Sequence, residues 1–311
     1  MSISGSTLTV DRAGCEADVA EATWLDVLAD YVELTKLRIS VLVLVTVAVA
    51  GYLARFGQPD LWPLLHAMLG TALVAASASA LNQWLERHTD CDMARTADRP
   101  LPAGRLSPQQ VVVFAAITFV VGMAWLILLA GWLPAAAGLA TWFIYAWVYT
   151  PLKRRTTWNT AVGAVSGAAP VLIGWTAAGG AIDSRLGGLF LLVFLWQFPH
   201  FMAIAWLYKQ QYADAGMQMM TVRDPSGRRA GVQAVLGAAA LLPVCAAFGL
   251  FAPGPAGLAL VGCTLLLALG QLACALSFFL RRDDDSARRL LRASLVFLPG
   301  VLLLLTFVPL V

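Results

Sequence analysis

The chain has 311 residues, of which 59% are hydrophobic and only 13% are charged, and its mean hydropathy is +0.75. Soluble domains carry roughly 25% charged residues, so this composition excludes a soluble globular protein and predicts an integral membrane protein. The formal net charge of +3 is too small and too dispersed to indicate a nucleic-acid partner. The five cysteines include no CxxC pair, so neither a disulfide framework nor a zinc site is indicated.

The first 38 residues differ from the rest of the chain because they are polar and acidic. They lack the apolar core of a cleavable signal peptide, and we predict a cytoplasmic segment that is partly disordered. Around residues 21–34 the pattern predicts a short amphipathic helix lying at the membrane surface. Residues 39–311 are predicted to form a single membrane domain.

Apolar runs long enough to cross a bilayer follow one another through residues 39–311. A spanning helix needs about 20 mainly apolar residues, and nine runs meet this length. They are 39–56, 61–83, 109–130, 133–150, 159–179, 186–208, 232–252, 255–280 and 290–311. The sequence therefore predicts an all-α membrane protein with nine transmembrane helices.

The basic residues indicate how this bundle is oriented. Of the 21 Lys and Arg residues, all but Arg55 and Arg185 fall in the N-terminal segment or after the second, fourth, sixth and eighth runs. Because basic residues are retained on the cytoplasmic side, the N-terminus is predicted to be cytoplasmic and the C-terminus outside. The links after the second and sixth runs are long, and long loops usually carry function. We therefore expect an active site on the cytoplasmic side.

The second run ends in a motif of polar residues, Asn82, Glu86 and Asp90. A spacing of four places all three side chains on one face of a helix. Two carboxylates and an amide oxygen form a surface that suits Mg²⁺, although a solvated helix end would show the same spacing. Nearby cations suit the phosphates that share such a metal ion. These cations are Arg95, Arg99, Lys153 and Arg154.

Two further stretches carry polar residues at the ends or in the middle of apolar runs. Lys153 and Arg154 obey the positive-inside rule, so a functional role requires that one of them turns inward. Asn159, at the start of the fifth run, is a candidate for binding substrate or for capping a helix. Gln197 and His200 lie deep in the sixth run, where they are costly unless they face a cavity or a partner. A lone intramembrane His is also often structural.

Four motifs taken together carry a resemblance to a known family. They are NxxxExxxD from residue 82, MxRTxxRPLPxG from 93, YTPLKRRTxxNTxxGAxxGAxP from 149, and WQFPHF from 196. These motifs resemble those of the protohaem IX farnesyltransferases (haem O synthases), which are UbiA-type intramembrane prenyltransferases. The resemblance runs from the first apolar run to the link after the sixth. It implies a nine-helix bundle around a cavity.

The resemblance also implies a reaction and its participants. Farnesyl diphosphate would lose its diphosphate with the help of Mg²⁺, and a vinyl group of haem B would capture the farnesyl cation. Water would complete the addition and give haem O, for the cofactor of haem–copper oxidases. The implied surroundings are the bacterial cytoplasmic (inner) membrane, with haem A synthase or oxidase assembly factors as possible protein partners.

The site residues follow from the resemblance position by position. Asn82, Glu86 and Asp90 match the metal-binding motif, in which the family usually has Asp where Glu86 stands. Arg99 and Lys153 match catalytic basic positions. The implied substrate contacts are Arg95, Arg154, Asn159, Gln197, His200, Gln211, Tyr212 and Asp214. Among them, His200 is the candidate for contacting haem, through its iron if the imidazole is neutral.

One departure from the family concerns the second acidic motif. The run YKQQY has Gln211 where the family has Asp. Either Asp214 replaces that acid or the second metal position is weakened. Two other functions stay open at this point: a related prenyltransferase with another aromatic acceptor, and a haem carrier or transporter without catalytic activity.

Overall fold

A computed structural model describes residues 23–251 and 254–307. The predicted disorder within residues 1–22 and the predicted ends of the seventh and ninth runs fall outside these ranges. In chain order the helices are α1 (Trp24–Leu34), α2 (Leu37–Ala54), α3 (Leu61–Cys91), α4 (Pro108–Ala130), α5 (Trp132–Phe143), α6 (Asn159–Ala177), α7 (Ser184–Leu207), α8 (Lys209–Asp214), α9 (Met220–Arg223), α10 (Arg228–Ala247), α11 (Pro255–Arg281) and α12 (Asp284–Thr306).

The all-α prediction is confirmed, since the described residues contain helices and no strand. Eight of the helices are long and apolar enough to cross a membrane. Helix α5 is continued by a π-helix at Ile144–Tyr149 and a helical turn at Thr150–Leu152. The chain is thus helical from 132 to 152, about the length of a further crossing. The count of nine spans and the orientation of the termini stay predictions.

The outer surface of the bundle is apolar, as contact with lipid requires. Leu128, Leu258 and Val120 are 78%, 76% and 64% exposed. Large tryptophans stand exposed at the starts of helices at both ends of the bundle. They are Trp24 and Trp158 at one end, and Trp62 and Trp132 at the other. Trp side chains concentrate at the two membrane–water interfaces, so these residues mark the edges of the lipid-embedded zone.

Helix α1 precedes the first span and has two chemically different edges. Thr23 begins the helix with a capping box, accepting a hydrogen bond from the Asp26 amide. Leu25 and Leu28 are exposed on the apolar edge. On the polar edge, Asp30 and Glu33 pair with Arg105 from the link after α3. These ion pairs join α1 to the loop that follows the predicted metal motif.

Arg185 is one of the two exceptions to the distribution of basic residues, and the structure shows how its charge is balanced. Its guanidinium lies 2.7 Å from the Asp183 carboxylate. The same group lies over the rings of Phe56 and Trp175, at 4.1 and 5.3 Å from their centroids. The carboxylate and the two aromatic faces together hold the guanidinium in place at this end of the bundle.

Candidate active site

A polar chamber of about 230 Å³ lies where α3, the π-helix after α5, and α7 end on the same side of the bundle. Its walls come from five regions of the chain that are distant in sequence. They are lined by Lys36, Ile39, Asn82, Glu86, Asp90, Met93, Arg95, Arg99, Tyr145, Tyr149, Lys153, Asn159, Thr160, Phe201, Ile204, Ala205, Tyr212, Met217 and Met219.

The motif of α3 contributes one wall of this chamber. Helix α3 does not stop with its apolar run but continues to Cys91, so Asn82, Glu86 and Asp90 keep their helical spacing and share a face. They are 1%, 7% and 0% exposed. Asn82 Nδ2 donates to Glu86 Oε2 and to Thr150 Oγ1, both at 3.0 Å. The motif is therefore a buried, preorganised oxygen surface and not a solvated helix end.

Each residue of the motif is held by one cation. Lys153 Nζ lies 2.8 Å from Glu86 Oε1, and Arg99 donates to Asp90 Oδ2 at 2.7 Å. Lys36 Nζ donates to Asn82 Oδ1 at 2.5 Å. Burying a charge is tolerated only when it is paired, and the chamber satisfies this with acids and cations from four separate regions.

Lys36 was missed by sequence reasoning, which counted it only as a basic residue on the cytoplasmic side. It lies between α1 and α2 in a left-handed conformation, with φ 51°. This rare conformation for a residue with a side chain turns the chain and brings the amine into the chamber. The signal in the sequence was the position itself, a Lys at the junction between the amphipathic helix and the first span.

The two lysines of the chamber have opposite pKa shifts. Burial by itself would lower the pKa of Lys153, but the Glu86 carboxylate raises it above its ordinary value. Burial also lowers the pKa of Lys36, and here the positive charges of Arg99 and Lys153 add to the effect, so that it falls to about 7. Burial is thus the largest influence on the pKa of Lys36, whereas the Glu86 carboxylate outweighs burial at Lys153.

The oxygen surface fits a magnesium ion. Asp90 Oδ1 is buried and has no hydrogen-bond partner among the described residues, although a buried polar atom normally has one. The described residues contain no group of three or more His, Cys, Asp or Glu side chains suited to a metal. Mg²⁺ does not require one, since it binds through one or two carboxylates and shares its shell with substrate phosphates. Asn82, Glu86 and Asp90 would hold it.

Arg95, Asn159 and Tyr212 complete the chamber. The Arg95 guanidinium lies over the rings of Tyr208 and Tyr212 at 4.8 and 5.1 Å, and it donates to the Tyr212 hydroxyl at 2.9 Å. Asn159 Nδ2 donates to the carbonyls of Thr156 and Gln218. Asn159 therefore ties two loops together and does not cap the amides of α6.

Five predicted site residues do not line the polar chamber, and three of these, Arg154, Asp214 and Gln211, lie near its outer end. Arg154 is exposed and lines, with Arg155, a separate cavity of about 450 Å³ beside Glu86. Asp214 is exposed and accepts a hydrogen bond from Gln210 at 2.8 Å. Gln211 does not line the chamber, and its Oε1 atom has no hydrogen-bond partner in the part of the chain that the structure describes. The carboxylates that line the chamber, among described residues, are those of Glu86 and Asp90.

An apolar chamber of about 260 Å³ continues from the polar one toward the middle of the bundle. The two chambers share walls formed by Lys36, Ile39, Tyr145, Tyr149 and Phe201. Beyond these residues the lining consists mainly of small Gly, Ala, Ser and Thr residues, with Val43, Trp142 and Ile173 among the larger ones. The pair forms one site with a charged end and an apolar end.

The two polar residues of α7 face in different directions. Gln197 lines the apolar chamber, and its Nε2 donates to the carbonyls of Ala164 and Val193. His200 lines neither chamber. Its Nδ1 lies 2.9 Å from Ser294 Oγ on α12, and its ring stacks on Trp196 with centroids 4.9 Å apart. His200 thus joins α7 to α12 on a different face from Gln197.

Comparison with known proteins identifies the family. Residues 43–298 match the UbiA prenyltransferase family. The chain is 45% identical to protoheme IX farnesyltransferase of Rhodopirellula baltica, covering 88% of this chain and 98% of the relative. It is 39% identical to the mitochondrial protoheme IX farnesyltransferase of Arabidopsis thaliana, covering 86% of this chain and 62% of the relative.

Solved structures show the same fold at low identity. A digeranylgeranylglyceryl phosphate synthase superposes with a TM-score of 0.73 at 14% identity, covering 91% of this chain and 98% of that one. A UbiA homolog from Archaeoglobus fulgidus bound to GPP and Mg²⁺ gives 0.63 at 15% identity, covering 87% and 99%. By sequence and by fold, the chain belongs to the UbiA prenyltransferase family and, within it, to the protohaem IX farnesyltransferases.

Proposed function

We propose that the chain transfers the farnesyl group of farnesyl diphosphate to a vinyl group of haem B, giving haem O and diphosphate. The observation that carries this proposal is the pair of joined chambers, one charged and one apolar. Their chemistry matches the two ends of a prenyl diphosphate. The relatives named protoheme IX farnesyltransferase supply the acceptor.

The charged chamber would bind the diphosphate and stabilise its departure. Mg²⁺, when bound at Asn82, Glu86 and Asp90, would neutralise the charge that grows on the leaving group. The chain's own cations act on the same charge, because Lys36, Arg99 and Lys153 all point into this chamber. Positive groups already in place where negative charge develops are often the largest contribution to catalysis.

The apolar chamber would hold the prenyl chain and keep water from the allylic cation until the acceptor reacts. Tyr145 and Tyr149 line both chambers, and their ring centroids are 5.5 Å apart. Aromatic faces attract cations, so these rings would stabilise positive charge at the junction, where the diphosphate leaves. Gln197, on the apolar wall, would lie near the reacting carbons.

His200 is the proposed haem contact, at a place apart from the two chambers. The ring is half-buried against Trp196 and Ser294, outside both chambers. It could meet haem only along the α7–α12 side of the bundle. If it does, His200→Ala weakens haem binding more than farnesyl diphosphate binding, whereas equal effects on both would mark His200 as structural. Ser294→Ala, which removes the hydrogen bond and keeps the imidazole, is the matched control.

We further propose that the chain acts at the cytoplasmic face of a bacterial inner membrane and passes haem O to haem A synthase or to oxidase assembly factors. The location is supported by the distribution of basic residues around the chambers and by the exposed tryptophans at both ends of the bundle.

The test is turnover by the purified protein in lipid nanodiscs with haem B, farnesyl diphosphate and Mg²⁺. Mass spectrometry should detect haem O, and chelation of Mg²⁺ should abolish it. Failure to form haem O, with farnesyl transferred instead to a quinone-type aromatic acceptor, would favour the related prenyltransferase. Haem binding seen by absorbance with farnesyl diphosphate left intact would favour a carrier.

A further inference from the structure

The apolar chamber has an inner end at a defined depth. By their positions along the helices, its deepest lining residues are Thr71 of α3, Gly138 of α5 and Ile173 of α6. Eleven positions of α3 separate Thr71 from Asn82, a distance of about 16 Å at the helical rise of 1.5 Å per residue. This distance is close to the length of an extended chain of three isoprene units. It places the end of the chamber near the bilayer midplane, since the hydrocarbon core is about 30 Å thick.

Close contact between two helix backbones seals the space beyond Ile173. Helices α2 and α6 pack so tightly that a Cβ atom added to Gly174 would overlap the Val47 carbonyl. Gly51 of α2 is also confined, since an added Cβ would lie 3.1 Å from the Gly174 carbonyl oxygen and 2.5 Å from Leu64 Cδ1. Two backbones in contact leave no room for a hydrocarbon chain to pass between them.

Leu126 closes the chamber from the α4 side. It is fully buried and lies between two glycines. A Cβ added to Gly138 would stand 2.9 Å from Leu126 Cδ1, and one added to Gly70 would stand 2.7 Å from Cδ2. Because Gly138 has no side chain, the Leu126 side chain fills the space directly behind that part of the chamber wall, with Ile173 Cδ1 4.0 Å from the same Cβ position. It belongs to the same buried cluster as Val47, Leu64 and Ile173.

We propose that Leu126 and Ile173 set the longest prenyl chain that the enzyme accepts, by closing the apolar chamber at the depth of three isoprene units. The inference rests on the proposed function, because it assigns the apolar chamber to the prenyl chain of an allylic diphosphate. A longer chain would have to displace these two side chains or fold back on itself inside the chamber. Neither rearrangement is available without disturbing close-packed neighbours.

Removing either side chain should deepen the chamber. Leu126→Ala vacates the space behind Gly138, and Ile173→Ala removes part of the end wall itself. In both variants the added space lies against the inner end of the chamber, where the end of a longer prenyl chain would extend. Ala75 lines the chamber nearer its mouth, and Ala75→Leu should shorten it instead.

The experiment measures kcat/KM of the full chain in nanodiscs for geranyl, farnesyl and geranylgeranyl diphosphate, with haem B and Mg²⁺. The wild type should prefer farnesyl diphosphate. The ratio of geranylgeranyl to farnesyl use should rise at least about tenfold in Leu126→Ala and Ile173→Ala, the discrimination that a few carbons produce in an apolar pocket. Ala75→Leu should shift the ratio about tenfold toward geranyl diphosphate.

Leu64→Ala is the matched control. Leu64 belongs to the same cluster but lines neither chamber, and it is buried against Gly51. Leu64→Ala should lower the stability of the protein about as much as Leu126→Ala does. It should leave the ratio of geranylgeranyl to farnesyl diphosphate use unchanged. The inference is overturned if Leu64→Ala shifts the ratio as much as Leu126→Ala. It is also overturned if the wild type uses geranylgeranyl diphosphate as well as farnesyl, or if both chamber variants keep the wild-type ratio.

A binding measurement separates this inference from the proposed function. Competition between the thiolodiphosphate analogues of the farnesyl and geranylgeranyl donors needs neither haem nor turnover, and it applies to variants that fold but do not react. Absence of haem O from the wild type would refute the proposed acceptor and leave the measurement of chamber depth valid. If folded Leu126→Ala and Ile173→Ala keep the wild-type ratio of affinities for the two analogues, the chain-length limit is refuted. The proposed formation of haem O would be unaffected by that result.

Discussion

Two stretches of this chain stand where the family places acidic motifs, and the structure uses them differently. In α3, Asn82, Glu86 and Asp90 are buried and each contacts a cation. In the stretch after α7, Asp214 is exposed to solvent and Gln211 does not line the chamber. That second stretch reaches the chamber through Tyr212, which holds Arg95. Among the described residues, the carboxylates of the chamber therefore come from the first stretch alone, where an uninterrupted helix fixes their spacing.

The largest expected loss of kcat comes from a substitution in the first stretch. Asp90→Asn should lower kcat for haem O formation roughly a thousandfold, because a metal ion contributes several kcal/mol of charge stabilisation to such reactions. The fold should persist, as Asn keeps the size of the side chain and can still contact Arg99. The same change at Asp214, on the exposed surface, should leave kcat within about threefold, the scatter expected of surface sites away from the chemistry. Equal losses in the two variants would contradict the comparison.

Lys36 provides the next largest effect. Lys36→Met removes its amine from Asn82 and from the space for the leaving diphosphate. We expect kcat to fall about 100-fold, the usual cost of losing one electrostatic donor in a preorganised site, with Mg²⁺ dependence retained. Arg38→Met alters an exposed basic residue two positions on and should change kcat little. A loss of similar size for Arg38→Met would mean that the positive charge acts only at long range.

Restoring an acid in the second stretch should not restore a metal position. Gln211→Asp introduces a carboxylate where Gln211 Oε1 already lacks a partner among described residues, and a buried unpaired charge is costly. Thermal unfolding in detergent should show a lower Tm, by several degrees, with the Mg²⁺ concentration for half-maximal activity unchanged. Ala213→Asp adds the same charge at an exposed position and should alter neither quantity. Tighter Mg²⁺ activation in Gln211→Asp would show that the stretch reaches the metal.

The smallest effect concerns the contact that the second stretch does make. Tyr212→Phe keeps the ring over Arg95 and removes the hydrogen bond from the guanidinium to the hydroxyl. Hydrogen bonds to charged groups contribute about 1.5–3 kcal/mol, so KM for farnesyl diphosphate should rise about tenfold while kcat changes less. Tyr208→Phe removes a hydroxyl from the other ring beneath Arg95 and serves as the control. If Tyr212→Phe lowered kcat and left KM unchanged, Arg95 would act on the departing diphosphate in the transition state and not in binding the substrate.

The sequence by itself determined the features that depend on local spacing. Apolar run length predicted the helices, and a four-residue period predicted that Asn82, Glu86 and Asp90 share a face. The motifs predicted the family. All of these follow from geometry along one helix or from composition within one stretch, where the neighbours of a residue are its neighbours in the chain.

Only the tertiary structure decided which charged residues meet. Lys153 enters the chamber while the adjacent Arg154 lines another cavity. Lys36 enters because it adopts a left-handed conformation, and Asp214 stays outside although Tyr212 of the same helix lines the chamber. The end of the apolar chamber depends on Val47, Leu126 and Gly174, from three different helices. Such positions are decided by the packing of helices against one another, and a close contact between distant backbones leaves no periodic pattern along the chain.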